Sequence, residues 1–250
     1  MTSPAALVLA GTRSGGDPFA HEMGVSHKAL IELNGRTLLE RVVSALRDGG
    51  IANILVSCDD PEVVALAEKL GAQVIAPQAG PSASVADAFD ATGAPLVVTT
   101  SDHALLHGDW VGHLIQHTPS DADLSIMLAQ RELVEQAVPG SRRTYLTFAD
   151  GGWSGCNLFY LARPDARRAL DTWSMVEAHR KQPWKIAARL GPGTLLAMLL
   201  RRLTLAEGLS RLGAKIGVRA HLVPAPDGLA AVDIDKRSDL ELVRALLKRK

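Results

Sequence analysis

Short apolar runs alternate with helix-like segments through the first hundred residues, and that alternation leaves this chain few architectures to choose from. The runs are 5–10, 54–57, 73–76 and 95–99, the first closed by Gly11. Apolar runs of this length, bounded by turn residues, read as strands buried on both faces. The segments between them have helical spacing. Over 37–46, Thr37 can cap, Glu40 follows three residues later, and Leu38, Val42, Val43 and Leu46 share a face. Segment 61–70 has Pro at its start and Gly71 after its end, and 82–91 is a third helix. Strands spaced by helices imply βαβ units with right-handed crossovers. The expected fold is α/β: a single Rossmann-like, three-layer α/β/α domain with a mostly parallel central sheet.

The second half is less regular. Helices are expected over 109–117, 164–179 and 236–249, and strands over 124–129, 144–148, 158–162 and 216–222. The Asp150-Gly151-Gly152 turn lies between two of these strands. Segment 184–213 is apolar and basic, broken at Gly191-Pro192-Gly193. No repeat, low-complexity tract or compositional break marks a linker, so 1–250 reads as one domain, with a nucleotide-binding half over 1–105 and an acceptor-binding half over 106–250.

Composition narrows the function. The 27 Lys+Arg balance 27 Asp+Glu, so the broad basic field that attracts nucleic acid is absent. Cys58 and Cys156 make no disulfide framework, which fits a reducing cytoplasm. The N-terminus lacks a signal-peptide pattern. No run reaches the ~18 apolar residues of a membrane span.

Three motifs carry chemistry. The first is the loop Ala10, Gly11, Thr12, Arg13, Ser14, Gly15, Gly16 after the first strand, followed by Lys28. A glycine-rich loop leaving a parallel strand presents backbone N–H groups as an anion nest, and Arg13 and Lys28 add cations that reach the same phosphates. Neither a Walker A loop nor a G-x-G-x-x-G fingerprint is present. The second is Asp102, at the end of the fourth strand, where open α/β sheets bind ligands. A carboxylate facing a phosphate loop suits Mg²⁺, although Asp102 could equally cap the helix that follows. The third is Val232-Asp233-Ile234-Asp235. Asp233 and Asp235 fall on one face of an extended segment, so one can ligate the metal while the other caps the terminal helix.

Together, the run LVLAGTRSGGDP…HKALIELNGRTLLERVVSAL, Ser101-Asp102-His103-Ala104-Leu105-Leu106 and Val232-Asp233-Ile234-Asp235-Lys236-Arg237-Ser238-Asp239-Leu240 resemble the nucleotidyltransferases with a GT-A-like fold. That group includes the molybdenum-cofactor guanylyltransferases and the sugar- and alcohol-phosphate nucleotidyltransferases. The resemblance implies Mg²⁺ (or Mn²⁺) on Asp102 and Asp233, catalytic cations at Arg13 and Lys28, and base contacts at Gly80 and Ser84. It also implies an acceptor contact at Asn157. The Gly80-Pro81-Ser82-Ala83-Ser84 segment looks most like cytidylyltransferases, favouring CTP, with GTP next. The loop before Lys28 departs from the short family form and carries Asp17, His21, Glu22 and His27.

The expected activity is transfer of NMP from an NTP to a phosphorylated small-molecule acceptor, releasing pyrophosphate. The competing readings are a GT-A glycosyltransferase using a nucleotide sugar and a non-catalytic nucleotide-binding protein. Lys185 is a further candidate for the acceptor phosphate. His103/His107 and His113/His117 are H-x-x-x-H pairs read as helix surface rather than as zinc ligands. The leucines of 194–205, with Arg201 and Arg202, suit a core helix or a dimer face in preference to lipid contact, with a lipid precursor as one candidate acceptor. The protein is expected to be a cytoplasmic monomer or homodimer that binds no nucleic acid.

Overall fold

The structure is a computed structural model that describes residues 3–12, 16–141, 143–178 and 202–248. Seven strands follow one another across the main sheet in the order β10-β7-β9-β6-β1-β4-β5, with β8 hydrogen-bonded to β9. These are β1 (Ala5–Leu9), β4 (Asn53–Ser57), β5 (Gln73–Ile75), β6 (Leu96–Thr100), β7 (Leu124–Gln130), β8 (Leu146–Phe148), β9 (Gly151–Leu161) and β10 (Ala220–Pro224). Strand β1 pairs in parallel with both β4 and β6, and β4 with β5. Ala6, Leu7 and Val8 are fully buried at its centre, as apolar strands covered on both faces must be.

A small hairpin of β2 (Glu32–Leu33) and β3 (Arg36–Thr37) stands apart from the sheet. Its turn residues Asn34 and Gly35 have φ of 53° and 72°, the left-handed conformation that an Asn-Gly turn supplies cheaply. A 3₁₀ turn at Lys28–Leu30 leads into this hairpin.

The first helices are α1 (Pro18–Glu22), within the stretch expected as loop, and α2 (Leu38–Asp48), which has a full capping box between Thr37 and Glu40. Next come α3 (Pro61–Lys69) and α4 (Pro81–Thr92). In the second half lie α5 (Gly108–Gln116), α6 (Arg131–Ala137), α7 (Arg167–Ala178), α8 (Leu205–Lys215) and α9 (Arg237–Leu247). Helices α2, α3 and α5 pack one face of the sheet with the larger core, and α4 and α7 pack the other. Both cysteines are buried free thiols.

Strand β9 runs antiparallel to its neighbours and is the seam of the molecule. Its C-terminal end pairs on one side with Leu96, Val97 and Val98 of β6 and on the other with Leu124, Ser125 and Ile126 of β7. Towards its N-terminus it keeps β7 as partner but has no further rung with β6, and its register with β7 shifts between Ile126 and Leu128. Asn157 lies in that irregularity with φ of 46°. Bulges of this kind re-aim side chains and end pairing. Here β9 parts from β6 near the carboxyl ends of the parallel strands, leaving a gap in the pairing, the cleft, between β6 and the first half of β9.

Most of the leucine-rich segment falls outside the described residues, as do the core, dimer and lipid alternatives raised for it. Its described end is a buried Leu203 and a Thr204 that caps α8. Among the described residues, no helix is long and apolar enough to cross a membrane.

Candidate active site

Three separate pieces of chain reach the cleft. The loop after β1 starts at Ala10, which is buried and whose N–H donates to the Ser57 carbonyl at 3.0 Å. Gly11 and Thr12 are exposed beyond it. Arg13 and Gly15 lie outside the described residues. Gly16 has φ of 81°, a left-handed conformation that glycine adopts without strain.

The second piece is the turn after β6. The Ser101 N–H donates to the Leu9 carbonyl at 3.0 Å, fixing this turn beside the root of the loop after β1. Asp102 is buried, and the Thr100 hydroxyl donates to it. Asp102 caps no helix, since His107 is the N-cap of α5. His103, expected on a helix surface with His107, is instead buried in this turn at 1% exposure. His113 and His117 stack at 3.8 Å on the last turn of α5.

The third piece is the segment before α9. A 3₁₀ turn at Gly228–Ala231 packs so closely on α6 that a Cβ at Gly228 would fall 2.2 Å from the Leu133 carbonyl oxygen. Only glycine fits there, and its approach sets the path of Val232–Asp235. The Ile234 N–H then donates to the Asp102 carbonyl at 3.1 Å, so Asp102 and Asp233 meet from distant parts of the sequence.

Each carboxylate is held by a cation. Lys28 donates to Asp102 and, at 3.2 Å, to Asp235. Arg143 donates to the Asp233 carboxylate, reaches the Asp233 carbonyl at 3.3 Å and lies 3.7 Å from Asp239. The Asn157 amide donates to the other Asp233 oxygen at 3.3 Å, so its side chain turns to Asp233. Asp235 does not cap the terminal helix. The N-cap is Lys236, and Asp235 instead faces Lys28 while its N–H donates to Asp239 at 3.3 Å.

These contacts perturb the charged groups in opposite senses. Burial alone would lower the pKa of Lys28, but Asp102 and Asp235 outweigh it and raise the value above the ordinary lysine range. The Asp233 carboxyl is pushed up by burial and then by Asp235, against the pull of Arg143, with Asp102 adding to the rise. Burial is the larger cause of that rise, and Asp235 and Asp102 add to it. Among the described residues, four carboxylates (Asp102, Asp233, Asp235, Asp239) meet two cations (Lys28, Arg143) here. That imbalance suits a hard divalent cation with oxygen ligands. No group of three or more His, Cys, Asp or Glu side chains forms a ready metal cluster among the described residues.

The segment expected to contact the base opens α4. Gly80 is the N-cap of α4, in extended backbone. Ser84 is buried, and its hydroxyl accepts from the Gln78 N–H at 2.9 Å, which shapes the loop from within. Lys185 is outside the described residues. Arg143 was missed in the sequence because it follows Pro139-Gly140 in a stretch without periodicity.

A glycine-rich loop at a strand end, facing a lysine and paired carboxylates across an α/β sheet, defines the class of NTP transferases. Residues 6–215 match the MobA-like NTP transferase domain, and the chain belongs to that family. Over 113 residues it is 36% identical to the molybdenum cofactor guanylyltransferase of Xanthomonas euvesicatoria pv. vesicatoria (strain 85-10); the match takes in 44% of this chain and 52% of that protein. The chain thus spans about half the length of this curated relative.

Among solved structures, a hypothetical transferase from Thermus thermophilus superposes with a TM-score of 0.82 and 30% identity over 96% of this chain and 100% of that one. A CMP:2-keto-3-deoxy-manno-octonic acid synthetase complexed with CTP has the same fold, with a TM-score of 0.61 and 16% identity over 99% of both chains.

Proposed function

We propose that this protein transfers a nucleoside monophosphate from an NTP to a phosphorylated small molecule and releases pyrophosphate. The observation that carries the reading is the meeting of Asp102 and Asp233, from distant parts of the sequence, beside the phosphate loop and Lys28. An acceptor phosphate oxygen is already anionic and needs no strong general base. The work left is alignment and neutralisation of charge.

Residues 1–105 form the nucleotide half in this reading and 106–250 the acceptor half. Amides of the loop from Gly11 to Gly16, with Arg13, hold the β and γ phosphates. Lys28 exchanges Asp102 for the α-phosphate and follows the charge that grows on its oxygens as pyrophosphate leaves. Asp102 and Asp233 would hold Mg²⁺, which when bound neutralises phosphate oxygens. Arg143 and Asn157 keep the Asp233 carboxylate turned into the cleft, as hydrogen-bonded partners of metal-ligating carboxylates do.

The sequence favoured CTP on the likeness of the Gly80-Pro81-Ser82-Ala83-Ser84 segment to cytidylyltransferases; within it, the Ser84 hydroxyl accepts from the Gln78 N–H. The 36% identical relative is a guanylyltransferase, so GTP is the nucleotide we place first and CTP second. The test is pyrophosphate release with each NTP in Mg²⁺ against a panel of phosphorylated sugars, polyols, aminoalcohols and pterins. The expected result is acceptor-dependent release that falls at least 100-fold in Asp102→Asn. Release of no pyrophosphate with any pair, or an Asp102→Asn variant with full turnover, would overturn the proposal.

A further inference from the structure

Arg143 lies between α6 and β8, in the acceptor half of the chain, and its side chain is only 10% exposed. Nη1 donates to an Asp233 carboxylate oxygen, and Nη2 reaches the Asp233 carbonyl at 3.3 Å. The planar guanidinium thus grips two oxygens of one residue. Two oxygens of a phosphate are a partner of the same kind, and one that suits the arginine fork.

Lys28 and Arg143 hold matching places. Lys28 pairs with Asp102 and Arg143 with Asp233, the two carboxylates read above as ligands of a divalent cation. With that cation bound, the negative charge that both side chains neutralise in the free protein has another partner. Each phosphate that enters the cleft then needs a cation of its own. Lys28, from the nucleotide half, serves the α-phosphate. Arg143, from the acceptor half, is the other cation paired with these carboxylates among the described residues.

Two neighbours prepare Arg143 for such an exchange. Asp239 lies 3.7 Å from Nη2, and its second carboxylate oxygen accepts the Asp235 N–H at 3.3 Å. Arg143 therefore keeps one carboxylate beside it when it leaves Asp233. Asn157 donates to the other Asp233 oxygen at 3.3 Å, so Asp233 also keeps a partner. A charge this buried is costly without a counter-charge, so the exchange has to replace one anion by another.

We propose that Arg143 receives the phosphate of the acceptor: it trades Asp233 for two oxygens of that group and selects phosphate monoesters over neutral alcohols. The proposal rests on the reading of the cleft as a nucleotidyl-transfer site.

The test measures binding, with inorganic phosphate as the probe. The full chain is loaded with Mg²⁺ and the α,β-methylene analogue of GTP, or of CTP where that binds more tightly. The triphosphate positions are then filled and no transfer occurs. Phosphate is titrated by ³¹P NMR into wild type, Arg143→Gln, Arg143→Lys and Arg131→Gln, with thermal melts alongside. Arg131 is exposed and pairs with Glu135 at 2.6 Å, so its variant controls for the loss of one charge.

Arg143→Gln should weaken phosphate binding at least ~10-fold, the scale of a charge-assisted pair, with analogue affinity held within about 3-fold. Arg143→Lys, which keeps the charge and loses the fork, should fall between it and wild type. Arg131→Gln should match wild type. Wild-type phosphate affinity in Arg143→Gln or Arg143→Lys, an equal loss in Arg131→Gln, or a loaded wild type that takes up no phosphate would overturn the role of Arg143 alone. A wild type that binds neither analogue would overturn the nucleotide reading of the cleft, and this proposal with it.

Discussion

Replacing His103 by a group that cannot titrate should flatten the acid side of the stability curve. His103 is 1% exposed beside Asp102, its ring stacked on Trp110 at 6.2 Å and its Nδ1 3.4 Å from the Thr99 hydroxyl. Burial pushes its pKa down from 6.5 to about 4, against the opposing pull of Asp102 and of the Ala230 backbone. The folded protein then binds fewer protons at this ring than the unfolded chain does, and stability falls as pH drops from 6.5 towards 4. At roughly 1.4 kcal/mol per pH unit, the whole displacement is worth about 3 kcal/mol, of which about 2 kcal/mol is lost between pH 7 and pH 5. Urea denaturation of wild type and His103→Gln at those two pH values measures it. The variant's own destabilisation is common to both conditions and drops out of the comparison. Wild type should lose about 2 kcal/mol more than the variant between pH 7 and 5. Equal losses would refute the claim that this ring is held neutral.

Two further outcomes test the seam and the site. Asn157→Gly suits the φ of 46° and removes the amide from Asp233. Unfolding free energy should stay within about 1 kcal/mol of wild type, while pyrophosphate release falls on the order of 10-fold; an active variant would detach Asn157 from the chemistry. Asp123 is buried and accepts from the Arg219 N–H at 2.8 Å and the Arg219 guanidinium at 3.2 Å. Burial pushes its pKa up, but the Arg219 contacts outweigh it and set the carboxyl below its usual 3.8. That stabilisation is present above pH 3.8 and lost as pH falls below it. Asp123→Asn should cost about 1.5–3 kcal/mol in urea denaturation at pH 7, with the deficit shrinking towards pH 3.

The parts of this protein legible in the sequence are those governed by local rules. Strand β1 is a bare apolar run, and α2 has its capping box and a single apolar face, so each appears where periodicity and capping put it. Lys28, Asp102 and Asp233 stand out in the sequence by residue type and order, and the hydrogen bond from Ile234 to Asp102 joins the last two in space.

What was hidden depends on tertiary contact. Strand β9 is 11 residues long, but Gly155, Cys156 and Asn157 break its alternation, so only its end read as a strand. Arg143 is defined by Asp233, 90 positions away, and no spacing rule reaches that far. Asp235 read as a cap because it precedes a helix, whereas the Lys28 ammonium is the stronger claim on a carboxylate. His103 read as surface from a four-residue spacing that no helix at that point supports.

The seam formed by β9 also ties the candidate site to the segment 131–143. Three rungs, Leu96 to Val98 against Leu161 to Phe159, join β9 to the parallel strands. On the other side of the seam, Leu133 of α6 backs Gly228, and Arg143 holds Asp233. A graft that exchanged 131–143 would therefore displace Asp233 even with all three rungs intact.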